Sequence, residues 1–228
     1  MQFNVTPQAK RNAITFCAVA IGLIALLVFM HLVRDDIPVG ISVVIGAAAG
    51  ILLLLGVGKL IEPPVSLAIT PDTIRYIHRK GEWQLDWDNV VRFDIPRVHR
   101  LMELEDAPFL GFRVYNNDAI LQTISPRLAS AILFEQRQLM TMALRHERPE
   151  QADYSEYFDI PERFVSSEGR VYKGLIAVFG RRMEQMRELL GYDLYVSANA
   201  LDRDIYEFRS HLQRLQASRQ EAKLDNTR

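Results

Sequence analysis

Cysteine is almost absent from this chain of 228 residues: Cys17 stands alone. No intrachain disulfide and no cysteine-based zinc cluster can form, and a lone buried thiol is usually inert. Histidine adds little, because His31, His78, His99, His146 and His211 are scattered with no HxxxH or HExxH spacing. No GxSxG elbow occurs, and the six glycines after residue 60 are too dispersed for a phosphate-cradling loop. Asp86 and Asp88 look like a carboxylate pair, but Asp88 begins a turn, which predicts a solvated strand end. A basic excess is missing as well: the net charge is −1, which argues against nucleic acid as a partner. The residues therefore predict no catalytic, cofactor or metal site, and a protein that is not an enzyme.

Charge is missing in two places only. Neither Ala13–Val33 nor Ile37–Gly58 contains Asp, Glu, Lys or Arg. Each run spans ~32 Å as a helix, enough for a hydrocarbon core of ~30 Å. This predicts a transmembrane hairpin over 13–60, with spans 13–33 and 37–58 after an N-terminal segment, 1–12. The first run is too long for a signal-peptide core and lacks a small-residue cleavage site, so an uncleaved anchor is expected. Lys10, Arg11 and Lys59 flank one side and Arg34 alone marks the Arg34–Asp36 turn, which puts both termini and the soluble region in the cytoplasm. Pro38 is expected in the first turn of the second span. Gly46-Ala-Ala-Ala-Gly50 is a small-residue stripe for close helix contact, within the hairpin or between copies in a homo-oligomer. His31 reads as an interfacial residue at the outer end of the first span.

After the spans the periodicity changes. Glu62-Pro63-Pro64 stiffens the exit. Strands are expected at Val65–Thr70, Thr73–Arg79, Glu82–Trp87, Val90–Ile95, Leu110–Tyr115 and Ala119–Ile124, with a weaker one at Val98–Leu104. The last full pair reads as a hairpin closed by Asn116-Asn117-Asp118. Helical spacing begins at Ser125 and Pro126 and carries Leu128, Ile132, Leu139 and Ala143 on one face. Trp83 and Trp87 are expected in the core, with membrane contact as the other reading. Residues 147–169 read as a linker. A helix from Arg170 to Leu190, with Leu175, Phe179, Met183, Met186 and Leu190 on one stripe and Gly191 as its cap, leads through an extended Asp193–Val196. A second helix, capped by Asn199, is expected over 200–220, before a frayed tail, 222–228. Its seam of Leu201, Ile205, Phe208, Leu212 and Leu215 fits either an antiparallel helical hairpin over 170–221 or a partner's groove.

About seven strands closed by one helix over 61–146 is the order of a pleckstrin-homology-like (PH-like) barrel or sandwich. The segment Gly81-Glu-Trp-Gln-Leu-Asp-Trp-Asp-Asn-Val90 resembles the bacterial PH-like domains that follow paired transmembrane helices. With Gly191-Tyr-Asp-Leu-Tyr-Val-Ser-Ala-Asn-Ala-Leu-Asp-Arg203, the whole chain resembles an uncharacterised family of bacterial inner-membrane proteins. The fold class is then a membrane α-helical hairpin plus an α+β soluble part. The resemblance implies placement in the inner membrane and no assigned activity. In PH folds basic residues near the first strand loops meet anionic headgroups, which makes Arg75, Arg79 and Lys80 the candidates here, with Arg97 and Arg100 as additions. The expected role is a scaffold for membrane lipids or a protein partner. The alternative is an accessory or assembly subunit of a membrane enzyme whose catalytic residues lie in another chain.

Overall fold

A computed structural model describes residues 3–6, 12–33, 37–61, 65–100, 103–151 and 153–225, with the backbone alone at His99, Arg100 and Asp225. Lys10, Arg11, the Arg34–Asp36 turn, Glu62–Pro64 and the last three residues of the tail lie outside the described residues. The chain divides into two compact units, Pro7–Pro64 and Met1–Thr6 with Val65–Arg228.

In the first unit, helices α1 (Ala13–Val33) and α2 (Val39–Leu60) are both long and apolar enough to cross a membrane. Pro38 precedes α2 as its N-cap residue rather than sitting inside the first turn. The two helices meet on small side chains: Ala13, Ala20, Ala49 and Gly56 are buried among otherwise exposed apolar residues. At Gly56 the helices are in close contact, since a Cβ there would lie 2.5 Å from Cys17 Sγ and 3.0 Å from Cys17 N. Gly46 and Gly50 are exposed, with open space where a Cβ would project. The expected stripe is thus not the hairpin's contact, because the crossing falls one face round, on Ala49 and Gly56. Near the other end His31 Nε2 lies 3.4 Å from Ser42 Oγ, so the imidazole has a partner on α2.

The second unit is α+β with antiparallel sheets. Strands β1 (Phe3–Val5), β2 (Leu67–Ile69), β3 (Thr73–His78) and β4 (Gly81–Asp86) form one sheet in that order. Alternation sets its two faces: Ile74, Tyr76, Trp83 and Leu85 are buried while Arg75, Glu82, Gln84 and Asp86 are exposed. β1 is the unexpected member, pairing Val5 with Leu67 across both apolar helices. A 3₁₀ turn at Trp87–Asn89 leads to β5 (Val90–Asp94). The weak strand expected at Val98–Leu104 is a hairpin of β6 (Arg97–Arg100) and β7 (Glu103–Asp106). β8 (Phe109–Val114) lies between β5 and a late strand, β11 (Leu194–Ser197). Among the described residues no ladder joins the larger sheets into a closed barrel. One core still lies between them, with Trp83 against Phe112 and Trp87 against Phe93.

Ala119–Ile124 is not a strand: α3 (Asp118–Leu121) is a short helix, because the preceding asparagines fold the chain back on itself. Asn116 Oδ1 accepts from Asp118 N at 2.7 Å and Asn89 Oδ1 accepts from Asn116 N at 2.8 Å. Ser125 caps α4 (Pro126–Glu135) as expected, accepting from Leu128 N. The helix then breaks at the buried Gln136 into α5 (Arg137–Glu147). Residues 147–169 contain a 3₁₀ turn at Ser155–Phe158 and β9 (Phe164–Val165), which pairs with β10 (Val171–Tyr172). Tyr154, Tyr157 and Phe158 pack on a second core with Leu139, Met140 and Met186.

The expected C-terminal helical hairpin is not what forms. α6 (Gly174–Leu190) ends at Gly191 in the left-handed conformation, as its cap position requires, and packs on α4 and α5. β11 then joins β8, and α7 (Ile205–Asp225) packs toward β8 instead of along α6. Asn199 lies in a 3₁₀ turn, six residues before the start of α7, so it caps no α-helix. Of the α6 stripe, Phe179, Met183 and Met186 are buried while Leu175 is exposed.

Candidate functional site

The seam on α7 is spoken for. Leu201, Ile205, Phe208 and Leu212 are buried in the main core and Leu215 is half-buried against it, so these residues hold the fold together. Leu201 precedes the helix, in the turn whose Ala200 carbonyl accepts from the Ser66 hydroxyl.

Of the three basic candidates, Arg75 is neutralised. It forms an ion pair with Glu82 on the neighbouring strand, and that carboxylate raises the guanidinium pKa further. Arg79 and Lys80 form the exposed β3–β4 turn and have no side-chain partner among the described residues. Arg97 is held by Asp106 at 3.3 Å on the β6–β7 hairpin, and the Arg100 side chain lies outside the described residues.

Two concave regions stand out, each of about 380 Å³. The first is polar, between β5, the base of the β6–β7 hairpin and the C-terminal end of α6. Arg209 Nη1 meets Asp94 at 3.0 Å and Tyr206 donates to Asp106 at 2.7 Å. Arg92 lies over the Tyr192 ring at 5.0 Å and donates to the Gly191 carbonyl at 3.3 Å. Its cations and carboxylates largely answer one another, which suits a structural clasp.

The second is an apolar groove walled by Phe3, Ile69, Pro71, Trp87 and Leu215, with His211 and Arg219 on its rim. Trp87 Nε1 donates to the Thr70 carbonyl at 3.0 Å, which fixes the indole as one wall. The His211 ring lies tilted against Phe3 with centroids 4.5 Å apart, and its Nε2 is buried without a partner among the described residues. Burial first, then Arg203 and Arg214, push the His211 pKa down. The polar members of the groove lining are Thr70, His211, Ser218 and Arg219.

Buried charge lies elsewhere, and the sequence reading did not find it. Asp193, 2% exposed, accepts from Val114 N at 2.9 Å and from Arg187 Nε at 2.5 Å. Burial pushes its carboxyl above the usual range although Arg187 pulls the other way. Asp118, 1% exposed, accepts from Ser166 at 2.9 Å and from Tyr172 at 2.5 Å. Burial and that carboxylate raise the Tyr172 phenol to about 12, so it stays a donor. These groups join the loop after β8 to β9, β10 and the end of α6. Arg182, 6% exposed, lies over the Phe158 ring at 5.2 Å with Nε and Nη1 unpartnered. Its only foreseeable signal was a charge inside the α6 stripe.

No group of three or more His, Cys, Asp or Glu among the described residues could hold a metal ion. The surface features are thus a basic turn, an apolar groove and clasps of paired charge. No curated protein and no solved structure matches the chain. A family model does match over residues 67–218, from the first residue of β2 into α7. The chain therefore belongs to the DUF2982 family, proteins of unknown function.

Proposed function

We propose that the chain is a non-enzymatic, multi-pass protein of the bacterial inner membrane that holds its α+β unit at the cytoplasmic face as a binding scaffold. The observation that carries this reading is the ladder between β1 and β2. β1 precedes the first apolar helix and β2 follows the second, with Phe3 opposite Ile69 and Val5 opposite Leu67. Hydrogen-bonded strands cannot lie on opposite sides of a bilayer, so both ends of the hairpin share one side. Lys10, Arg11 and Lys59 flank that side, against Arg34 at the turn, and the positive-inside bias makes it the cytoplasmic one. The order of seven strands from Leu67 to Val114, then α4 and α5, supports a PH-like module with an open seam.

A phosphatase active only outside the cytoplasm tests the placement. Fused after Arg228 it should be inactive, and inserted between Asp35 and Asp36 it should be active; the reverse pattern overturns the reading. The accessory-subunit reading draws support from Phe134, which is 80% exposed on α4. A stoichiometric enzyme co-purifying in mild detergent, and lost with Phe134→Ser, would favour it over the scaffold.

A further inference from the structure

The β3–β4 turn lies at the end of the sheet from which the chain runs into both apolar helices. β2 and β3 are antiparallel, with Leu67 opposite Tyr76, and the Ser66 carbonyl accepts from Ile77 N at 2.8 Å. Beyond Ile77 the chain passes His78, turns at Arg79 and Lys80, and returns at Gly81. The turn therefore projects past the start of β2, alongside Val65. Between Val65 and Ile61 lie three residues, 62–64, whose extended reach is about 10 Å. β1 runs antiparallel to β2 and ends at Val5, so its continuation toward α1 leaves from the same end.

A third cation belongs to the helix whose N-terminus is tied to this turn. The Ser125 hydroxyl donates to the Lys80 carbonyl at 2.8 Å while accepting from Leu128 N at 3.2 Å. That bond ties the α4 N-terminus to the turn. Gly81 permits the approach, because its φ is 140° and a Cβ there would collide with Ser125 Oγ. Arg127, in the first turn of α4, is exposed, and that turn contains no acid. A helix N-terminus ordinarily favours acidic side chains, so a cation there adds to the positive field instead of offsetting it. Neither Thr73–Gly81 nor Gln122–Phe134 contains Asp or Glu, and the nearest carboxylate in sequence, Glu82, is engaged by Arg75. Arg79, Lys80 and Arg127 have no ion-pair partner among the described residues.

We infer that Arg79, Lys80 and Arg127 together form a contact surface for an anionic lipid bilayer, which docks the α+β unit by its β3–β4 end. The inference rests on reading α1 and α2 as membrane spans. It needs no headgroup-specific pocket, because the chain leaves this same end of the sheet toward both apolar helices. Each basic side chain near an anionic surface favours the docked state about five-fold, so the three together favour it about a hundred-fold. The attraction fades within a Debye length, which is about 3 Å at 1 M salt.

The test uses the full chain in nanodiscs, carrying Cys17→Ala and a single fluorophore on Gln122→Cys, three residues before Ser125. A nitroxide on the lipid headgroup reports proximity by quenching. Discs containing phosphatidylglycerol should quench this label strongly and discs of phosphatidylcholine weakly, with the difference lost at 1 M salt. A label on Asp72→Cys, in the turn at the opposite end of β2, should be quenched in neither. Arg79→Gln, Lys80→Gln and Arg127→Gln combined should lower the docked-to-free ratio about a hundred-fold, and Lys80→Gln alone about five-fold. Arg79→Lys with Arg127→Lys keeps the charge and should retain quenching, which separates lost charge from lost folding. Quenching that ignores lipid charge, salt or the triple variant overturns the inference, as does quenching of the Asp72 label instead. Both faces of a nanodisc carry the same lipid, so the result does not depend on which side of the cell membrane the unit occupies. A failed reporter topology and a failed contact surface are thus separate outcomes.

Discussion

Arg182 is the least comfortable side chain in the α+β unit. Its guanidinium has two buried N–H groups without acceptors, and its neighbours are Phe158 and a second cation, Arg137, 5.7 Å from the same ring. Burial first, then Arg137, hold its pKa down at about 10. A base whose pKa falls on folding binds more protons in the unfolded chain between the folded and unfolded values. Stability then rises with pH from about 10 upward, and below that the full cost of the buried charge remains. Arg182→Met keeps the volume and removes the charge, so it should stabilise the unit by about 1–3 kcal/mol at neutral pH. The gain should shrink above about pH 10. Urea midpoints of the full chain in detergent, at neutral and alkaline pH, check both. A destabilised Arg182→Met would mean that the ring contact outweighs the desolvation.

The α6 pattern shows how far such a residue is legible. Phe179, Met183 and Met186 announced a buried stripe, and the structure buries them. An arginine next to Met183 reads from sequence as the edge of a solvated face, because long basic side chains normally reach water. What encloses Arg182 is the 155–158 turn, from a stretch whose charged, aperiodic composition read as a linker.

At the scale of elements, strand alternation was readable wherever it ran for five or six residues. β3, β4, β5 and β8 fall within a residue or so of the expected ranges. The errors lie where pairing is distant or the element is short. β1 has three residues, too few to show a period, and its partner lies beyond both apolar helices. β11 was foreseen as an extended piece, but nothing local says that Leu194 faces Phe112. That pairing is what parts α6 from α7. The Asn116–Asp118 cluster has the composition of a hairpin turn and the geometry of a helix start, because the Asn116 side chain accepts from Asp118 N while Asn89 accepts from Asn116 N. Of the candidate residues, Arg79 and Lys80 are exposed in the β3–β4 turn. Arg75 loses it to Glu82, a partner fixed by strand register, and the α7 seam proves to be core.

β1 offers a measurable consequence. Val5 is fully buried, and its carbonyl accepts from both Ser66 N and the Ser66 hydroxyl. Without β1, β2 becomes an exposed edge next to an opened core. Val5→Asp buries an unpaired carboxylate, and Val5→Ala leaves a cavity costing about 2–3 kcal/mol. The α+β unit of a Val5→Ala chain should therefore unfold at lower urea, reported by the fluorescence of Trp83 and Trp87 in detergent. A midpoint unchanged from the parent chain would mean that β1 is dispensable.

For the whole molecule, the β1–β2 ladder makes the arrangement of the chain a matter of distance. Asn4 lies directly opposite Ala68, and cross-strand neighbours have Cα atoms about 4.5–5.5 Å apart, within the reach of a disulfide. Arg75 lies opposite Ala68 on the far side, one strand further from Asn4, where the separation of about 9–10 Å is too long. In a Cys17→Ala background, the pair Asn4→Cys with Ala68→Cys should therefore oxidise in isolated membranes, and Asn4→Cys with Arg75→Cys should not. A maleimide mass tag reads the result as two thiols lost or two thiols kept. The bond can form only if the segments before α1 and after α2 meet on one side of the bilayer. Tagging of both thiols in the first pair, after oxidation of a well-folded chain, would dissolve the ladder, and with it the argument that both ends of the hairpin share one face.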